Sequence, residues 1–369
     1  MPTISVMMKP ASGLCNMKCS YCFYCDETEN REVSSYGFMS EETLKNVVRR
    51  TMTRAEGAVS FAFQGGEPTL RGLDFFRYFT ELTKKYSRPG LKVMKAIQTN
   101  GYALDEEWCR FLKENDFLVG VSLDGIKATH DTNRRSSSGE ATFDRIEKSI
   151  ALLQKYRVDF NILTVINSST APKISEIYEY YRKKHLNYQQ YILCLDPLEK
   201  TDGTQKYSLT PEEYGSFMIN LFDLWSRGVK LGHQPYIRQF ENYIGILLGY
   251  QPESCDMCGK CGIQYIVEAD GGVYPCDFYM LDDYCLGNFN TERIDSIDRK
   301  RKEIGFTEAS EKLTDECRQC EYYFMCRGGC MRHRSPFGGA FVNDYCESYK
   351  MFFEARLDSL KELAMKISR

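Results

Sequence analysis

Hydrophobic and polar positions alternate in blocks along the first half of the chain. Short runs rich in Val, Ile, Phe and Leu, at 3–9, 58–63, 91–98, 117–123, 158–166 and 189–195, read as strands of a buried parallel sheet. Between them, apolar residues recur at helical spacing over Glu41–Arg54, Leu73–Lys85, Glu106–Glu114, Phe143–Tyr156 and Pro172–Lys184. Ser40 ahead of Glu41-Glu42, and Pro172 in a first turn, are helix-start signals. Six strand–helix units in series predict parallel strands with helical crossovers. Six are too few for a closed eight-stranded barrel and fit a partial (β/α)6 barrel, with an open doubly wound sheet as the other reading of the same pattern.

The pattern then changes. Residues 207–249 are helical and read as a bridge. From Ser254 the chain is irregular, with only short strand signals at Gln264–Glu268 and Gly272–Tyr274, and Tyr349–Ile367 reads as one closing amphipathic helix. Four segments are expected: an α/β core over 1–205, a helical bridge over 206–250, an irregular α+β cysteine-rich domain over 251–348 and a C-terminal helix over 349–369.

Composition excludes several classes. The chain has 369 residues, 43% hydrophobic, with 48 Lys+Arg against 51 Asp+Glu, so nothing points to nucleic-acid binding. No apolar run approaches the roughly 18 residues of a membrane span. The opening MPTISVMMKPASGLC lacks a basic segment followed by an apolar one, so no signal peptide is expected and a cytoplasmic location is. The abnormal number is 16 cysteines. Without a secretion signal, metal or iron–sulfur ligation explains them better than disulfides do.

Cys15, Cys19 and Cys22 stand in CNMKCSYC, in the loop after the first strand. Three thiolates can hold three irons of a [4Fe–4S] cube and leave the fourth iron open. A zinc knuckle, or a Cys22-x2-Cys25 redox pair, would use the same residues. The later loops narrow the choice. Gln64-Gly65-Gly66-Glu67-Pro68 follows the second strand, with two glycines that let backbone approach a ligand and a Glu67 carboxylate suited to an ammonium group. Gln98-Thr99-Asn100-Gly101, Ser122-Leu123-Asp124-Gly125 and Leu195-Asp196-Pro197 close the third, fourth and sixth strands, on the same rim as the cysteines.

In these motifs the sequence resembles the radical S-adenosylmethionine (SAM) superfamily. C-x3-C-x-aromatic-C, with Tyr21 as the aromatic, resembles its cluster motif, and GGEP resembles its SAM-amino motif. The resemblance implies a partial TIM-like barrel in which Cys15, Cys19 and Cys22 hold the cluster. Tyr21, Gly65, Gly66, Glu67, Ser122, Arg134 and Leu195 are then the SAM-binding residues.

Downstream, Cys255, Cys261, Cys276, Cys317, Cys320, Cys326, Cys330 and Cys346 suffice for two fully ligated four-iron clusters, or for two four-cysteine zinc sites. Their spacing resembles the SPASM domain of peptide-modifying radical SAM enzymes. That likeness implies one auxiliary cluster on Cys255, Cys261, Cys276 and Cys330, and another on Cys317, Cys320, Cys326 and Cys346, making three [4Fe–4S] clusters in all. Cys258 stands close enough to replace a neighbour. Cys109 and Cys194 read as core residues.

KPASGLCNMKCSYCFY, FAFQGGEPTL, FLVGVSLDG, SLTPEEY, GGVYPCDFY and CRGGCMR, spread from end to end, resemble the anaerobic sulfatase-maturating enzymes. This implies oxidation of a Cys or Ser in a C/S-x-P-x-R segment of an unfolded type I sulfatase to Cα-formylglycine. A 5′-deoxyadenosyl radical would abstract the hydrogen from Cβ, and electrons would come from a donor such as flavodoxin or ferredoxin. Asp277, beside Cys276, is then the expected proton acceptor, with Tyr24 and Gln64 orienting the target side chain. The neighbouring expectation is a SPASM maturase that makes thioether or carbon–carbon crosslinks in a ribosomal peptide. Such enzymes often carry an N-terminal recognition domain, for which a first cysteine at position 15 leaves no room.

Overall fold

The computed structural model describes residues 3–198 and 205–367, which form two compact units. The first runs to residue 123 and adds 133–161 and 263–305; the second comprises 124–132, 162–262 and 306 onward.

In the first unit, strands Ile4–Met8, Ala58–Phe63, Lys92–Thr99 and Phe117–Ser122 pair side by side, all parallel and in chain order. Helices Glu41–Arg54, Leu73–Lys85 and Glu106–Glu114 make the crossovers, at the bounds the periodicity predicts. Their starts are fixed locally. The Ser40 side chain accepts from the Thr43 amide, and Asp105 accepts from that of Trp108, each satisfying a first-turn donor. The strands alternate burial, and their inner faces meet the helices in an aromatic cluster: Phe63 lies edge-on to Phe76 at 4.9 Å and to Phe79 at 4.8 Å. This packing makes the strand ends a rigid rim.

Three short strands of the cysteine-rich segment extend this sheet. Tyr265–Val267 pairs parallel with the first strand, Val6 opposite Tyr265, and continues as a hairpin with Gly272–Tyr274. Three consecutive buried residues, Tyr265, Ile266 and Val267, explain why so short a strand docks.

In the second unit, residues 162–166 pair parallel with Tyr188–Leu193, which pairs parallel with Tyr236–Ile237. The bridge consists of helices Pro211–Lys230 and Arg238–Leu247; a full capping box between Thr210 and Glu213 starts the first. The closing helix, Cys346–Ile367, begins three residues earlier than its amphipathic pattern. The parallel α/β order followed by an irregular cysteine-rich part bears out the expected fold class. Among the described residues, no helix is long and apolar enough to cross a membrane.

Candidate active site and cluster-binding cysteines

The segment after the first strand turns back sharply. Lys9 donates its amide to the Val267 carbonyl at 2.8 Å, and the Ser12 and Leu14 amides close turns onto Lys9 and Ala11. Met17–Cys19 then forms a short antiparallel ribbon with Arg134–Ser136, which sets Cys19 opposite Arg134. Cys22 is the N-cap of helix Phe23–Glu29. Neither ribbon nor helix is legible in the sequence, because three-residue strands of Lys, Cys, Arg and Ser carry no alternation.

The sulfurs of this loop are met by donors. The Met17 amide points at Cys15 Sγ at 3.4 Å, Asn100 Nδ2 at the same sulfur at 3.7 Å, and Arg134 Nη1 at Cys19 Sγ at 3.8 Å. Burial holds the Cys15 thiol up at about 12, with the charges of Glu67, Cys19 and Cys22 adding to it, so the three thiols share one neighbourhood. Donors aimed at sulfur are what ligated thiolates require, so the residues fit an iron–sulfur cluster here. Asn100, not singled out in the sequence beyond its motif, also donates to Asn16 Oδ1 at 2.8 Å. Cys25 is exposed, and a hydrogen bond from it to the Cys22 sulfur chiefly lowers the Cys22 thiol to about 6.

The glycine loop packs directly on the cysteine loop. A Cβ on Gly66 would lie 2.3 Å from the Leu14 carbonyl oxygen and 2.6 Å from that of Ser12, and its φ is +54°, so only glycine fits. A Cβ on Gly65 would lie 2.2 Å from the Lys9 stem. Glu67 is fully buried. Its Oε1 accepts from the Thr69 amide and from the hydroxyls of Thr69 and Thr99, and its Oε2 from the Asn100 amide at 2.8 Å. Both oxygens therefore bind loop donors, and Glu67 ties the second and third strand ends together. Tyr21 lies with its ring 5.4 Å from the Arg134 guanidinium, and Ser122 ends its strand buried. Leu195, in the second unit, is buried just beyond the strand Tyr188–Leu193.

Asp277 follows the hairpin. It forms an ion pair with Lys9, and Gln64 Nε2 donates to its second oxygen at 2.7 Å. Its side chain is 11% exposed and that of Lys9 is 0% exposed. Tyr24 lies beneath, with Lys9 Nζ 4.7 Å from its ring centroid. The Tyr24 hydroxyl donates to Glu268 Oε2 at 2.6 Å, and Arg31 Nη1 donates to the same oxygen at 2.8 Å. Asp277, Tyr24 and Gln64 are thus brought together as neighbours. Lys9, Glu268 and Arg31 complete the group and escape sequence reading, because a lysine ending a strand ordinarily reads as a solvent-facing charge.

The auxiliary cysteines group by environment. Within the second unit, burial and the charges of Asp256, Cys255 and Cys261 raise Cys330 to about 12. Cys326 is raised to about 11 by burial, with Cys317, Cys346 and Cys320 contributing. Cys258 instead turns its thiol toward the carbonyls of Pro252 and Ser254. Cys276, in the first unit, receives the Phe278 amide at 3.5 Å. Cys109 and Cys194 are buried, as read. Among the described residues, no three His, Cys, Asp or Glu side chains converge on one ion.

Two family patterns match: the Radical SAM superfamily over residues 10–181, and the SPASM iron–sulfur cluster-binding domain over 255–321. The chain is 44% identical to the cysteine-type anaerobic sulfatase-maturating enzyme of Clostridium perfringens (strain 13 / Type A), over 100% of both chains. It is 30% identical to the serine-type enzyme of Bacteroides thetaiotaomicron, covering 95% of this chain and 88% of the relative. A solved structure of native anSMEcpe with bound AdoMet and Cp18Cys peptide has a TM-score of 0.94 at 43% identity, covering 99% of this chain and 100% of that one. Streptococcus suis SuiB bound to precursor peptide SuiA, at 15% identity and TM-score 0.63 over 89% of this chain and 72% of that one, shares the fold alone.

Proposed function

Because the chain belongs to the anaerobic sulfatase-maturating enzymes of the radical SAM superfamily, we propose that it oxidises a cysteine, in preference to a serine, within a C-x-P-x-R segment of an unfolded sulfatase to Cα-formylglycine. One observation carries this reading: full-length likeness to cysteine-type relatives at 44% identity, against 30% for a serine-type one.

Cys15, Cys19 and Cys22 hold the cluster that binds SAM, with Cys255, Cys261, Cys276 and Cys330, and Cys317, Cys320, Cys326 and Cys346, as the two auxiliary sets. When bound, the first cluster and SAM would supply the electron and the 5′-deoxyadenosyl radical that removes a hydrogen atom from Cβ of the target, and an auxiliary cluster would take up the electron that the oxidation leaves behind. The protein supplies position. Gly65 and Gly66 offer backbone to the amino end of SAM, Glu67 holds that loop in place, and Tyr21, Ser122, Arg134 and Leu195 line the remainder of the cofactor. Asp277 is the catalytic base for the target thiol. Held between Lys9 and Gln64, it presents a carboxylate of fixed direction beside Cys276. Gln64 orients Asp277 and the target together.

In chain order we read a radical SAM core over 1–205, a bridge over 206–250, a SPASM domain over 251–348 and a final helix over 349–369. An acidic one-electron carrier of the flavodoxin or ferredoxin type serves as donor, in the cytoplasm, where a sulfatase is met unfolded.

The test is anaerobic turnover of reconstituted enzyme with SAM, reductant and two peptides, one carrying C-x-P-x-R and the other S-x-P-x-R. Aldehyde with 5′-deoxyadenosine, faster from the cysteine peptide, is expected. Equal or faster turnover of the serine peptide overturns the preference, and 5′-deoxyadenosine without aldehyde from either overturns the substrate class.

A further inference from the structure

Six side chains of the first unit form one buried group around Asp277, and half of it lies outside the reading above. Asp277 and Lys9 are paired, and Lys9 faces the ring of Tyr24. Tyr24 in turn donates its hydroxyl to Glu268. Glu268 is fully buried and both its oxygens are engaged: Oε2 takes Tyr24 and Arg31, and Oε1 takes the Ala269 amide at 2.8 Å. Arg31 also donates to the Ser34 carbonyl at 3.2 Å. Two buried cations and two buried carboxylates sum to zero charge, as a dry site requires.

The group is not a proton wire. Lys9 meets Tyr24 through the ring face, 4.7 Å from the centroid, and the phenolic proton points the other way, to Glu268. It is a mechanical chain. The Lys9 stem is confined on one side by Gly65, where a Cβ would lie 2.2 Å away, and its ammonium is confined by the Tyr24 ring. Tyr24 packs with Ile266 and Tyr274 of the hairpin and with Met280, and the Glu268 hydrogen bond pins its hydroxyl end, so the ring cannot swing away from Lys9.

We propose that Glu268 is a positioning residue for the reaction, with Arg31 as its counter-charge: by fixing Tyr24 it holds Lys9, and through Lys9 it aims the carboxylate of Asp277 at the target side chain. This rests on the reading of Asp277 as the base. A misplacement on the order of 1 Å at a reacting group costs about a hundredfold in rate. SAM cleavage uses none of these six side chains and stays intact.

The experiment compares holoenzyme variants Glu268→Ala, Glu268→Gln and Glu268→Gln/Arg31→Met. Glutamine keeps an acceptor for Tyr24 but leaves Arg31 without a counter-charge, and the double change removes that charge as well. Glu268→Ala is expected to lower kcat for aldehyde about 10- to 100-fold. The peptide KM should stay within about threefold and the iron content should be unchanged, so more 5′-deoxyadenosine forms per aldehyde. The double variant is expected to recover most of kcat. Wild-type kcat in all three overturns the proposal, as does parallel loss of iron, SAM cleavage and aldehyde, which marks a purely structural role. An anaerobic crystal structure of the Glu268→Ala holoenzyme gives a readout independent of turnover. Displaced Tyr24 and Asp277 are expected, and both unmoved overturns the proposal. If the wild type makes no aldehyde from either peptide, the functional reading fails while the crystal structure still decides the positioning.

Discussion

Lys9 and Asp277 show how a buried charge pair divides its effects between folding and chemistry. Breaking a buried pair from one side leaves an uncompensated charge, at a cost of about 3–5 kcal/mol, whereas neutral residues of similar shape in both places cost little. Asp277→Asn is therefore expected to lower the melting temperature of the anaerobic holoenzyme and to cut aldehyde formation by about 10²- to 10⁴-fold. Lys9→Met/Asp277→Asn is expected to recover the melting temperature and none of the aldehyde. A double variant that melts as low as the single one refutes charge compensation at this site. At this scale the sequence was partly legible. Asp277, Tyr24 and Gln64 stand in motifs and are found together. Lys9, Glu268 and Arg31 stand in unremarkable contexts, a strand end, a hairpin turn and a helix exit. Their burial arises from a pairing between Ile4–Met8 and Tyr265–Val267 that no local pattern announces.

Among the elements, the glycine loop is the most constrained. Gly66 sits against the carbonyls of Leu14 and Ser12, just ahead of Cys15. Gly66→Ala must push that loop away or forfeit its own φ, and the two strained contacts are with backbone, which cannot rotate aside. The displaced loop leads into the ligands of the first cluster and carries none of the auxiliary sets. Iron is therefore expected to fall from roughly twelve to roughly eight atoms per chain, with 5′-deoxyadenosine formation lost. Full iron and normal SAM cleavage would show that the two loops are not coupled. Gly72→Ala is the control, since a Cβ there meets nothing within 4 Å although its φ is also positive. With φ +82° and ψ 156° it should cost stability of about 1–3 kcal/mol and leave iron unchanged. The long elements were legible because a crossover helix of 13 or 14 residues repeats its apolar face several times, as Leu73–Lys85 and Glu41–Arg54 do. The ribbon Met17–Cys19 and Arg134–Ser136 was not, since each strand has three residues and its stability comes from the partner.

Over the whole molecule, the chain divides into parts that fold on apolar burial and a part that cannot. The parallel strands of the first unit enclose Phe61, Phe63, Phe75, Phe76, Phe79 and Phe117, all fully or nearly fully buried. Residues 306–345 of the second unit contrast with this. They hold helices of four and five residues, Phe306–Ala309, Asp315–Gln319 and Tyr323–Cys326, and one hairpin, Arg334–Phe337 with Ala340–Asn343. Phe306, Leu313, Met325 and Tyr345 are their buried apolar side chains. Helices this short are not stable alone, and a single hairpin is marginal. What polar organisation exists centres on Arg334, which donates to the carbonyls of Gly328, Gly329 and Ser310 and gathers the loops that carry Cys326 and Cys330. Metal binding in such a segment is folding free energy. Removing iron with a chelator under reducing, anaerobic conditions is therefore expected to abolish amide-exchange protection across 306–345. Protection in Ala58–Phe63 and Phe117–Ser122 should change by less than about threefold, because aromatic packing holds those strands without metal. Equal protection of 306–345 with and without iron would mean that Arg334 and its loops suffice, and that the cysteines there contribute electron transfer and not stability.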